Sequence, residues 1–277
     1  MPVPAQNQQY ENFIIRYKQN THGGFDYESD ETFQIVNDLF GILYVPMQEV
    51  PELELSSYSY SSIPRCYTYM DTGALSTSGV TRLHNHPYLK LQGKGTLVAV
   101  IDSGIDYLHP AFHNGVQSKI FSIWDQTLEG GADGRIPFGR EFGRQQIEQA
   151  LASENPWEIV PSSDTNGHGT RSAATAAGYR IEKDNFCGAA PEAEIVIVKL
   201  KQAKNYLRDF YLLPRDIDIF QEDDIMLAIS YVLFIAQEQQ MPLSICIGLG
   251  TSMGAHQGEG PLNEYINSIA AFTQNAV

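Results

Sequence analysis

Three stretches of the chain are apolar almost without interruption: residues 96–101, 194–200 and 244–249. Such runs predict strands covered on both faces, as in a parallel sheet with helices on either side. Helical signals fall between and after them. Residues 171–178 carry Ala173, Ala174, Ala176 and Ala177; 223–238 is long and apolar-periodic; 261–272 places Leu262, Tyr265, Ile266, Ile269 and Phe272 at helical spacing. Strand and helix alternating in this way predict a doubly wound α/β fold. Residues 113–165 are rich in Gly, Pro and polar residues and read as a surface insertion with a short helix near 141–151.

A smaller α+β unit is predicted upstream. Phe13-Ile14-Ile15-Arg16-Tyr17 reads as a strand, and 42–45 as a second. Between them Asp30 is placed to cap a helix over 31–40, with Phe33, Val36 and Phe40 on one side and Gly41 closing it. Residues 71–79, with Gly73, Ser76, Thr77, Ser78 and Gly79, have linker composition. The division predicted is therefore a disordered residues 1–11, a unit at 12–70, a linking segment at 71–92 and a larger domain at 93–277.

Composition narrows the function classes. The chain has 277 residues, 43% of them hydrophobic, with 18 Lys and Arg against 33 Asp and Glu, a formal charge of −15. That is enough apolar material for a packed core, and it is poorly suited to nucleic acid or anionic membrane surfaces, both of which repel an acidic protein. No stretch approaches the roughly 18 apolar residues of a membrane span; the best run is 231–236. The N-terminus lacks a signal-peptide pattern, so a cytoplasmic or spore-associated location is the expectation. Cys66, Cys187 and Cys246 have neither disulfide-framework nor metal-site spacing, and His84 with His86 is too few ligands for a metal.

Two segments concentrate chemistry. Val98-Ala99-Val100-Ile101-Asp102-Ser103-Gly104 puts an acid directly after a buried parallel strand, at the sheet end where α/β folds place their sites. The bland reading is a turn residue capping its own backbone. Asp-Ser-Gly also suits an aspartic protease, but that chemistry needs a second such acid after an apolar strand, and Asp71-Thr72-Gly73 lies in the linker. The second segment, Asp164-Thr165-Asn166-Gly167-His168-Gly169-Thr170, sets a histidine between two glycines at the mouth of an Ala-rich helix. A third, Gly188 to Glu194, turns straight into the strand at 194–200.

In this order the three segments resemble the subtilisin-like serine proteases, whose triad runs Asp, His, Ser along the chain. The resemblance implies Asp102 as the orienting acid and His168 as the general base. Finer similarity, through 93–112, Ile123-Trp124-Asp125-Gln126-Thr127, Pro242-Leu243-Ser244-Ile245 and Leu262-Asn263-Glu264-Tyr265-Ile266, is to the germination-type subtilases of spore-forming anaerobes, a group that includes active enzymes and pseudoproteases. It implies a subtilisin-like sheet, a protein or peptide substrate, a prodomain at 12–70 whose tail lies in the cleft, and possible calcium with no ligands assignable. Arg171-Ser172 departs from the bulkier pair that often follows His-Gly-Thr in the family.

The nucleophile is the open question. Gly250-Thr251-Ser252-Met253 matches the family's serine motif in letters. The motif should open a buried helix, whereas Gly254 to Gly260 reads as a loop, and no asparagine stands between the strand and Ser252 to hold an oxyanion, a loss of about 3–4 kcal/mol. The strand before it instead fits the family's substrate-pocket strand, which makes Gly248, Leu249 and Gly250 candidate substrate-binding residues. The expectation is the front portion of a serine endopeptidase, carrying the acid and the base of an incomplete sheet and by itself inactive. The alternatives are a pseudoprotease or binding scaffold, or activity through Ser252.

Overall fold

The computed structural model describes residues 3–17, 32–50, 53, 58–69, 84, 88, 91–130, 135–184, 186–254 and 257–273. The predicted linker at 71–79, and Asp30 and Glu31 of the predicted capped helix, lie outside them.

At the centre is a mixed five-stranded sheet. Strand β5 (Leu97–Asp102), buried along its whole length, pairs in parallel with β8 (Glu194–Lys199) on one side and β10 (Leu243–Ile247) on the other. Strand β6 (Ile120–Asp125) continues the parallel array beyond β8, and β7 (Arg140–Gly143) closes that edge antiparallel. Alternate residues feed two cores. Leu97, Ala99, Ile101, Val196 and Val198 face one layer; Val98, Val100, Ile195 and Ile197 face the other.

The first layer is built by α5 (Glu222–Gln239) and α6 (Pro261–Thr273). The second contains α1 (Arg144–Leu151) and α3 (His168–Ala177), with the one-turn α2 (Pro156–Ile159) beside them. The small side chains of α3 let it lie close on the sheet: Ala173 and Ala177 are fully buried. The α/β architecture expected from the sequence is therefore present, with helices on both faces of the sheet.

Two expectations for this domain fail. Residues 113–165 are not a surface insertion, because they contain β6, whose Ile123 and Trp124 are fully buried. Single polar residues, Ser122 bonded to Tyr231 Oη at 2.8 Å and Asp125 bonded to Ser162 Oγ at 2.7 Å, interrupt the apolar run that would have announced it. The run at 244–249 is not one strand either. It breaks at Gly248, after which β11 (Leu249–Gly250) leaves the central sheet.

The upstream unit is a three-stranded antiparallel sheet, β1 (Tyr10–Arg16), β3 (Phe40–Pro46) and β2 (Phe33–Ile35), in the order β1-β3-β2. The helix expected over 31–40 is thus a strand and a turn. Asn37 is the reason: its side-chain oxygen accepts from the backbone N–H of Leu39 and Phe40, at 2.9 and 2.8 Å, and competes with helical pairing. The sheet's Ile14, Phe40, Ile42 and Tyr44 join the core under α5.

Residues 3–11 are not disordered as expected. Ala5 is buried, and Gln6 Nε2 donates to the Gln126 and Leu128 carbonyls at 3.0 and 2.8 Å. Lys204, just before α4 (Asn205–Phe210), donates to the carbonyls of Pro4 and Tyr10 and to Asn12 Oδ1 at 2.8, 3.0 and 2.7 Å. Asn12 Nδ2 in turn reaches Asp223 of α5 at 2.6 Å. Burial pulls the Lys204 ammonium down to about 7, aided by neighbouring Lys201.

Candidate active site

Asp102 ends β5 with its side chain 1% exposed, and His168 opens α3. Sixty-six residues apart in sequence, they meet at the carboxyl edge of the sheet: His168 Nδ1 lies 2.7 Å from Asp102 Oδ1 and 3.0 Å from Oδ2. A carboxylate at Nδ1 fixes the tautomer with the proton there, which directs the basic lone pair to Nε2. Asp102 Oδ1 also accepts from Ser103 N at 2.7 Å, so its own orientation is held from the backbone.

The loop entering α3 is organised by Asp164, a residue to which the sequence pattern alone assigns no role. Its Oδ1 accepts from Ser103 Oγ at 2.9 Å and Gly167 N at 3.1 Å; its Oδ2 accepts from Thr170 N and Oγ1 at 2.8 and 2.7 Å. Burial opposes the charge, but these donors outweigh it and hold the carboxyl below its ordinary value. Ser103 completes the link by accepting from Gly169 N at 2.9 Å. Asp164 thereby ties the strand carrying the acid to the helix carrying the imidazole. The available signal was its placement three residues before Gly167 and six before Thr170, an acid just upstream of a helix N-terminus.

Gly248 stands behind the pair. A Cβ there would sit 2.6 Å from Asp102 Oδ2 and 3.1 Å from His168 Cε1, so only glycine leaves the pair room. Leu249, whose side chain is buried in the first core layer, and Gly250 follow as β11, which forms one edge of a cleft. Into it comes β4 (Cys66–Tyr69), pairing antiparallel with β11 (Tyr69 to Leu249, Thr68 to Gly250) and with β9 (Phe220–Gln221; Cys66 to Gln221, Tyr67 to Phe220). The chain's own strand therefore lies between two backbone edges, in the arrangement by which a groove holds an extended peptide.

That strand ends on the imidazole. The Tyr69 ring stacks on His168 with centroids 4.3 Å apart and planes at 28°, and Phe220 packs edge-on against Tyr69 at 5.5 Å. The phenol is held by Asp218 Oδ2 at 3.0 Å and by Asn166 Nδ2. Nothing in the sequence pattern marked Tyr69, Asn166 or Asp218, because their meeting depends on three separate segments, strand β4 and two loops. Ser252 lies on the exposed turn after β11 and lines a cavity of about 540 Å³ together with Cys66–Tyr69, Tyr211 and Ile219. Among the described residues no three His, Cys, Asp or Glu side chains gather as a metal-holding group, and no helix is long and apolar enough to cross a membrane.

Comparison with known proteins bears on this geometry. Residues 93–211 match the subtilase family, peptidase S8; the match contains Asp102 and His168 and ends before Gly248. Two Arabidopsis thaliana relatives are subtilisin-like protease SBT2.1, 27% identical over 127 residues, and subtilisin-like protease SBT1.4, 30% identical over 125. Each alignment takes in 39% of this chain but only 15% and 16% of the relatives, so the chain spans a small part of their length. Among solved structures, the Clostridium perfringens CspB protease aligns with a TM-score of 0.57 and 28% identity, over 71% of this chain and 37% of that one.

Proposed function

We propose that this chain carries the acid–base half of a subtilisin-like serine endopeptidase. The observation that carries the reading is the buried Asp102–His168 pair at the carboxyl end of a parallel strand, with an extended peptide segment laid across the imidazole. In this reading His168 Nε2 takes the proton of a serine hydroxyl as it attacks the scissile carbonyl, then gives it to the departing amine. Asp102 stabilises the imidazolium formed between those steps. The serine and the oxyanion donor come from polypeptide outside these 277 residues. The small share of each relative that the chain covers supports this, as does the loop, not a helix, that carries Ser252. Calcium, implied by the resemblance alone, is assigned to no residue and enters no step.

Residues 12–70 are proposed to be a prodomain, and β4 its inhibitory tail. The pairing of β4 with both β9 and β11 supports this, because a bound substrate would need the same two edges. The finer kinship with germination-type subtilases rests on the sequence resemblance and on the 28% identity to the CspB protease.

A fluorophosphonate probe with mass-spectrometric localisation tests the reading. Labelling is expected only on a gene product that extends beyond Val277, at a serine in the added segment. Labelling of the 277-residue chain at Ser252 would make that residue the nucleophile. Absence of labelling on both would favour a binding scaffold. In an active preparation, N-terminal sequencing is expected to find a cut between about Cys66 and Gly79; an intact Met1 would remove the prodomain reading.

A further inference from the structure

Arg65, immediately before β4, is held by the downstream domain as a ligand is held. Its side chain is 6% exposed and that of Glu222, the first residue of α5, is 1% exposed. The contact is two-pronged: Nε donates to Glu222 Oε2 at 3.1 Å and Nη2 to Oε1 at 2.5 Å. The backbone is read as well, with Arg65 N donating to Glu222 Oε2 at 3.1 Å and Glu222 N donating to the Arg65 carbonyl at 2.8 Å. The far carboxylate oxygen is also steadied by Leu262 N at 3.2 Å.

The other wall is made of missing side chains. A Cβ on Gly254 would lie 2.3 Å from Arg65 Nη1, and one on Gly260 would lie 2.4 Å from Nη2. Both glycines have positive φ, +89° and +128°, which a side chain would also strain. Gly254 and Gly260 thus leave open the space that the flat guanidinium occupies. A lysine would present a point charge there and forfeit the paired contact. The residues that meet the guanidinium and its carboxylate here, Glu222, Gly254, Gly260 and Leu262, belong to the downstream domain, and the occupant belongs to the upstream unit. This space also continues the groove. Arg65 precedes Tyr69 by four residues, about 13 Å of extended chain, so both side chains leave the same face of the strand.

We propose that Glu222, Gly254 and Gly260 form an arginine-selective subsite of the peptide groove. Its ligands are extended peptides carrying arginine four residues before an aromatic residue that stacks on His168. This rests on the peptidase reading for the fate of such a peptide, but not for its binding. Charge favours the same occupant, since the chain is strongly acidic and the groove presents Glu222 and Asp218 to the strand.

The test uses the full chain with Arg65→Ala and Tyr69→Ala, which removes both anchors of its own tail. The probe is a fluorescein-labelled peptide of residues 63–69 with serine at the Cys66 position, compared by anisotropy with the same peptide carrying citrulline in place of arginine. The arginine peptide is expected to bind at least tenfold tighter, and a further Glu222→Gln change is expected to erase the difference. Equal affinities, or no binding of either peptide, would overturn the proposal. Should the double variant not fold, Arg65→Ala alone is titrated with ethylguanidinium. A rise of several degrees in Tm, or restored folding, is expected in that variant and not in the unaltered chain; neither occurring would also overturn it. No readout depends on hydrolysis. A gene product extending past Val277 that takes no fluorophosphonate label, while the chain still distinguishes arginine from citrulline, would remove only the peptidase reading, and labelling without that distinction would remove only the subsite.

Discussion

Asp164 accepts three hydrogen bonds from Gly167 and Thr170 at the entrance of the helix that carries His168 and a fourth from Ser103, and its loss should be felt both as stability and as geometry. Asp164→Ala is expected to cost about 2–3 kcal/mol by chemical denaturation, the usual scale for hydrogen bonds to a charged group. The pH dependence has a definite sign. Because the folded carboxyl sits below its unfolded value of about 3.9, its contribution is complete above that pH. It fades as pH falls through the folded value. The stability gap between the unaltered chain and Asp164→Asn should therefore be constant from pH 5 to 7 and shrink below about pH 4; a gap that widens in acid would contradict the assignment. Gly248 offers a steric counterpart. Gly248→Ala puts a methyl 2.6 Å from Asp102 Oδ2, and overpacking of this kind should cost about 1–3 kcal/mol. An unchanged Tm would mean that the backbone there has room to spare.

Elements differ in how plainly the sequence announces them. Strands β5 and β8 were legible because both faces are buried and their central residues, 97–101 and 195–198, are all apolar, and α3, α5 and α6 because their apolar spacing matches their burial. Strand β6 was hidden by polar residues satisfied inside the core, Ser122 and Asp125. The helix expected at 31–40 was a false reading of Phe33, Val36 and Phe40, whose spacing also fits a strand, a turn and a second strand once Asn37 bonds to Leu39 and Phe40. Asp102 and His168 could be found because each follows a local pattern. Tyr69, Asn166 and Asp218 could not, since only the tertiary fold brings them together. Strand β4 yields its own prediction. Burial pushes the Cys66 thiol up to about 12, so almost no thiolate exists at pH 8 while β4 stays in its groove. Iodoacetamide should modify the partly exposed Cys187 well before Cys66. Thr68→Pro, which weakens pairing with Gly250, should raise the Cys66 rate at least tenfold by peptide mass mapping. Equal rates in both chains would mean that β4 does not guard the thiol.

At the scale of the whole molecule, two sheets share one core. The upstream sheet packs its Ile14, Phe40 and Ile42 under α5, and Lys204 and Asp223 draw hydrogen-bond partners from Pro4, Tyr10 and Asn12. Removing the side chain that joins both sets, in Asn12→Ala, leaves buried charges less well satisfied. It should lower stability by about 2–4 kcal/mol in a single cooperative transition, checked by calorimetry; two separate transitions would show that the units fold independently. Strand β4, between these two parts of the chain, lies over the acid–base pair through Tyr69. The most direct measurement of the central claim is the rate of fluorophosphonate acylation in a gene product extending past Val277, compared with its Asp102→Asn and His168→Ala variants. The account predicts a fall of about 10³- to 10⁴-fold in both, with fold and Tm retained. Acylation at an unchanged rate in either variant would contradict it.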